Sequence, residues 1–262
     1  MYYTQVLRIA CGLKWLAIVL AALYVLIVSI AAANGAFTHS LHGSPDNSDI
    51  PLPALFGIAG FAAAIFASRY ARTLSEENEA HLPIVWTKPV SRIRYALTVV
   101  GVDVAGIVAA FAMTLLVALA FIATFGATRF IDAPADSAMQ LLRFLMLPLG
   151  YYGVMTALTA SFGKTGRGLI GWAWCVSLVS LVLASSDFPR PWSAIIAAVN
   201  VVNPLAYASY SHTSGHDTTN IASGPHGTAF TSLAPSLDAS ALLLLFAAGI
   251  AAGIAQWRRL EA

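Results

Sequence analysis

Long runs of apolar residues separated by short polar connectors dominate this chain. A helix needs about 20 such residues to cross the hydrocarbon core of a bilayer. Six runs meet or approach that length: residues 13–33, 51–70, 96–125, 138–161, 168–186 and 238–257. The third is long enough that it must tilt, kink or begin in the interface, and the fifth is at the short end. The pattern predicts an all-α, polytopic membrane protein with six transmembrane helices. No fixed-period repeat and no low-complexity linker divides residues 1–262, so one membrane domain is predicted. The first run exceeds the roughly 7–15 apolar residues of a secretory signal core, which predicts a retained first helix.

The connectors alternate in character. Residues 34–50 are rich in Asn, Ser, Asp, Gly and Pro, 71–95 carry much of the Lys and Arg, 126–137 are acidic, 162–167 are basic and 187–237 are long and polar. Arg8, Lys14, Arg69, Arg72, Lys88, Arg92, Arg94, Lys164, Arg167, Arg258 and Arg259 fall on one side of the six-span plan, and only Arg129 and Arg190 on the other. The positive-inside rule then places both termini and the 71–95 connector in the cytoplasm, as expected of a multi-pass protein of the inner or plasma membrane. Residues 192–209 are moderately apolar but contain Asn200, Asn203 and Pro204. These are costly in lipid unless shielded, so a short interfacial or re-entrant helical segment is predicted on the outer side.

Composition agrees with this plan. The chain is 58% hydrophobic and only 10% charged, against about a quarter charged in soluble domains. A net charge of +2 gives no reason to expect a nucleic-acid partner. Cys11 and Cys175 lie in apolar runs with no Cys-x-x-Cys spacing, and buried, inert thiols are predicted.

Residues 72–95, RTLSEENEAHLPIVWTKPVSRIRY, hold the densest chemistry. Thr73-Leu74-Ser75-Glu76 fits a capping box. Glu76, Glu77 and Glu79 would then lie where a helix dipole favours acids. Leu82, Ile84, Val85 and Trp86 form an apolar patch, Pro89 breaks the run, and Arg92 and Arg94 fall at headgroup level. The prediction is an amphipathic helix parallel to the membrane between spans two and three. It is either a plain topological anchor or a handle through which a cytoplasmic partner moves two spans.

Arg72, Glu76-Glu77, Leu82, Ile84 and Lys88-Pro89-Val90-Ser91-Arg92 resemble the cytoplasmic loop of ATP-binding-cassette transporter permeases of the exporter-like second type. His81-Leu82 and Pro83 depart from the family's usual glycine-containing bend. Val202-Asn203-Pro204-Leu205-Ala206-Tyr207 is similar to the family's outer turn between spans five and six. The resemblance implies that the loop, with Trp86 in its apolar patch, is a coupling helix seated on a separate ATPase subunit. It implies that ATP and Mg bind that partner, that this chain holds no cofactor and catalyses no reaction itself, and that two permease copies or paralogues pair in the bilayer. ATP-driven closure of the partner would then switch the spans between inward and outward access.

Other signals are weaker. Gly163-Lys164-Thr165 lacks the glycine five residues upstream that a phosphate loop requires; Leu158 stands there. Asp103 lies in the third run and is either a structural polar contact or a translocation residue. Arg94 lies nine residues before it, about 13 Å at helical rise. Arg143 in the fourth run is expected near the outer surface, snorkelling. His212 and His216 have helical metal-ligand spacing, but their polar surroundings predict a loop without a metal. No hydrolase or metalloprotease motif is present. Two further readings stand beside the permease: a membrane scaffold or assembly protein without transport, and a secondary transporter, for which Asp103 is the sole candidate coupling acid.

Overall fold

The computed structural model describes residues 2–33, 50–74, 76, 92–125, 131–162, 166–184, 189, 191–208, 211–214, 217–220 and 235–259. The chain is helical. Its helices are α1 (Tyr2–Ala33), α2 (Leu52–Tyr70), α3 (Arg92–Thr124), α4 (Ser137–Thr159), α5 (Gly166–Ala184), α6 (Trp192–Val202) and α7 (Pro235–Arg259), and a 3-10 turn over Pro204–Ala208 follows α6. A short parallel pair joins β1 (Ile50–Pro51) to β2 (Ile131–Asp132), tying the start of α2 to the segment beyond α3. A small antiparallel hairpin links β3 (Ser211–Ser214) and β4 (Asp217–Asn220). His212 therefore sits in a strand, which corrects the expected loop, and His216 lies outside the described residues.

Five of these helices, α1, α2, α3, α4 and α7, are long and apolar enough to cross a membrane; α5 and α6 carry shorter apolar stretches. The surface is inverted relative to a water-soluble protein. Trp172, Val182, Leu116 and Leu244 are exposed, whereas Asp103, Arg143, Asn200, Asn203 and Asp238 are buried. Contiguous apolar surface of this extent needs a cover, and lipid supplies it. This is the build of a multi-pass helical membrane protein.

α4 is the centre of the bundle and packs against α7, α2, α5 and the 3-10 turn, while α3 packs on α2 and α1 lies outside on α3. Its contact with α7 is made by backbone. A Cβ added at Gly249 would stand 2.3 Å from the carbonyl of Gly153, and one added at Gly153 would stand 2.7 Å from the backbone of Phe246. Without a water-driven force between helices in lipid, such close approach is what gains dispersion energy. α5 runs beside α2 and α4. The Trp174 indole donates to Ser68 Oγ at 2.9 Å, and its ring lies 4.6 Å from that of Tyr151.

Three expectations are corrected. Helix α1 begins at Tyr2, well before residue 13, because Gln5 and Ile9 turn inward and Arg8 finds an internal partner. Cys11 and Cys175 are exposed, not buried, since the apolar faces of α1 and α5 that carry them point outward. After the turn at 71–72 helix resumes at Thr73, but without the expected capping bond. The Thr73 hydroxyl turns back to the Tyr70 carbonyl at 2.6 Å, the Glu76 amide donates to the Arg72 carbonyl at 3.0 Å, and the Glu76 carboxylate takes the Arg72 guanidinium at 2.9 Å.

Candidate functional site

The segment predicted to couple to a partner lies between α2 and α3 in the sequence. At its root the helix ends are cross-tied. Asp103, one-third of the way along α3, is fully buried. Its Oδ1 lies 2.5 Å from the Arg8 guanidinium of α1, and its Oδ2 accepts a hydrogen bond from the Tyr152 hydroxyl of α4 at 2.9 Å. The Thr73 hydroxyl, just beyond α2, donates instead to the Tyr70 carbonyl at 2.6 Å. The Tyr70 ring lies 5.3 Å under the Arg8 guanidinium. Thr159 Oγ1, at the end of α4, lies 3.0 Å from the carbonyl of Ala71. One carboxylate thus joins α1, α3 and α4, and Tyr70 at the end of α2 holds its counter-charge Arg8. A buried acid in a bilayer is expensive and is retained where it is paired; here the pairing makes Asp103 a structural contact between helices.

Only the root of the predicted loop is described. Arg72 and Glu76 form the ion pair noted above, with Glu76 exposed. Arg92 is the first residue of α3. Glu77, Leu82, Ile84, Trp86, Lys88 and Pro89 lie outside the described residues, as do Gly163, Lys164 and Thr165.

A second polar cluster occupies the opposite end of α4. Arg143 and Tyr152 are nine residues apart, about 14 Å along the helix and on opposite faces. Arg143 is buried, which corrects the snorkelling expectation. Its Nε donates to the Tyr207 carbonyl at 2.7 Å and lies 3.2 Å from Asp238 Oδ2 on α7, and its Nη1 lies 3.2 Å from Gln140 Oε1. The predicted outer turn is built around Asn203. Its amide nitrogen donates to the Ser177 carbonyl at 3.0 Å and to Ser180 Oγ at 3.1 Å on α5, and its Oδ1 accepts the Leu205 amide at 3.1 Å. Asn200 Oδ1 lies 2.9 Å from Ser180 Oγ. Pro204 and Tyr207 are buried with it, and the Tyr207 hydroxyl donates to Val201 O at 2.9 Å. Burial pushes the Tyr207 phenol above its ordinary range, and the Asp238 carboxylate adds to that. These bonds shield the polar groups of α6 and fold it back on α5.

Two partnerships were not visible in the sequence. Arg8 is the counter-charge of Asp103, where the nearer basic residue in sequence is Arg94; Asp238 is the counter-charge of Arg143. The usable signal was charge balance: a lone acid and a lone base inside apolar runs each need a partner at equal depth. Among the described residues no group of three or more His, Cys, Asp or Glu side chains could hold a metal ion.

Comparison of the chain with protein-family models, with curated proteins and with solved structures finds no match in any of the three.

Proposed function

We propose that this chain is the permease subunit of an ATP-binding-cassette-type transporter, driven by a separate ATPase docked on the 72–94 connector. The observation that carries the reading is the Asp103 cluster. A partner moving the connector would pull on the end of α2 at Arg72 and Glu76, and through Tyr70, Arg8 and the buried carboxylate on α1, α3 and α4 together. A handle tied to several rods turns a small surface displacement into a concerted helix movement. In this reading α5 is the fifth of six spans, α6 and the Asn203 turn form the outer re-entrant segment, and both termini lie in the cytoplasm of an inner or plasma membrane. Two copies, or two paralogues, pair in the bilayer, and ATP and Mg bind the partner subunits.

Co-expression with a candidate ATPase tests the docking. Charge reversal at Glu76 and Glu77, or Trp86→Ala, is expected to weaken the complex. Asp103→Asn is expected to leave the complex intact while uncoupling ATP hydrolysis from substrate movement in vesicles. Complex formation and coupled transport unchanged in all three variants would remove the basis for the reading. The alternative, a membrane scaffold without transport, draws on the backbone contact of α4 with α7, which favours a rigid body. ATP-dependent substrate movement in proteoliposomes separates the two.

A further inference from the structure

We propose that the groove between α1 and α3 binds an anionic phospholipid, with an acyl chain in the groove and the phosphate on Arg94. The groove has a volume of about 550 Å³ and is walled by Val6 and Leu13 of α1 and by Thr98, Val102 and Ala105 of α3. Gly101 also lines it, and a Cβ added there meets nothing within 4 Å. The groove is therefore open at that point because the side chain is missing. Gly106 plays a different part: a Cβ there would stand 2.6 Å from Ile9 Cγ2, so this glycine lets the two helices touch and closes the groove on one side.

The same face of α3 supplies the charge. Arg94, Thr98, Gly101 and Ala105 follow one another at spacings of three and four, which places them on one face of α3. Arg94 is exposed, and no ion pair is found for it among the described residues. An exposed guanidinium one helical turn before the lining residue Thr98, on the same face of α3, fits an amphiphile with a hydrocarbon chain in the groove and a phosphate beside it. A soluble anion would leave the groove unfilled, and a neutral chain would leave Arg94 without a counter-charge. A partner helix is about 10–12 Å across with its side chains, so it would lie over the groove and not in it. The inference needs only that α1 and α3 lie in a bilayer, and it is independent of the transporter reading.

The test is native mass spectrometry of the full chain in neutral detergent, with phosphatidylglycerol or phosphatidylcholine of identical chains added. The wild type is expected to retain phosphatidylglycerol about fivefold over phosphatidylcholine, the preference that one basic contact gives. Arg94→Gln is expected to bring the two lipids to equal retention. Gly101→Leu fills open space and is expected to reduce retention of both; Ala105→Leu fills the same groove and serves if Gly101→Leu does not fold. Equal retention of the two lipids by the wild type overturns the proposal. So does phosphatidylglycerol retention that is unmoved by Arg94→Gln, or by whichever fillers fold.

Discussion

Arg8 on the outermost helix reaches across to Asp103 at 2.5 Å, bridging 95 positions of sequence. The two ends of this contact are not equivalent. Asp103 has no exposed surface, whereas the Arg8 side chain is about a third exposed. The helix α1, which otherwise presents Trp15, Val19 and Leu26 outward, is anchored to the bundle by a charge that it carries and a charge that the bundle buries.

That asymmetry predicts an order of severity. Arg8→Met strands a fully buried carboxylate and is expected to cost about 3–5 kcal/mol, the usual penalty for breaking a buried pair from one side. Asp103→Asn leaves a guanidinium with partial access to headgroups and water, and is expected to cost less, about 1–3 kcal/mol. The double change Arg8→Met with Asp103→Leu is expected to recover most of the loss. Thermal midpoints of the detergent-solubilised protein, read as the folded fraction on size exclusion, check the order; equal losses from the two single changes would contradict it.

The Arg143–Asp238 pair joins α4 to α7 with both partners buried. Either Arg143→Met or Asp238→Leu alone is expected to destabilise by about 3–5 kcal/mol, and the two together by clearly less than their sum. Strict additivity in this double-mutant cycle would mean that the two groups do not interact.

Gly153 and Gly249 meet backbone to backbone. Gly249→Val is expected to force α4 and α7 apart and to cost at least the 1–3 kcal/mol typical of overpacking. Gly168→Ala, at a position where a Cβ has nothing within 4 Å, is expected to be close to neutral. The yield of monodisperse protein compares the two directly.

Cys11 and Cys175 face outward. Pyrenyl-maleimide, which partitions into detergent and lipid, is expected to label both in the folded protein without denaturant. If labelling appeared only after unfolding, the outward orientation of these faces would be wrong.

The helices themselves were largely legible. Apolar length alone predicted 51–70 and 138–161, and the structure gives Leu52–Tyr70 and Ser137–Thr159. The start of α1 is not, because Gln5 and Arg8 fall outside the apolar run 13–33 and only their inward placement shows that the helix includes them. The same limit explains the misplacement of Arg143. A single run gives its own depth but not its neighbours, and only the packing of α4 against α7 puts Asp238 within reach. The Asn203 turn is legible from its polar residues within an apolar stretch; that it bonds to α5 at Ser177 and Ser180 follows only from the three-dimensional arrangement. The thiols were misjudged because burial rules drawn from water-soluble proteins invert in lipid.

The two ion pairs have an electrical consequence. Each couples one positive to one negative group, so the charges drawn into the bundle sum to zero at either end of α4. A membrane potential does work only on net charge displaced through it. A rearrangement that carries each pair as a unit is therefore electrically silent, and its balance answers to what binds at the edges of the protein and not to the voltage across it.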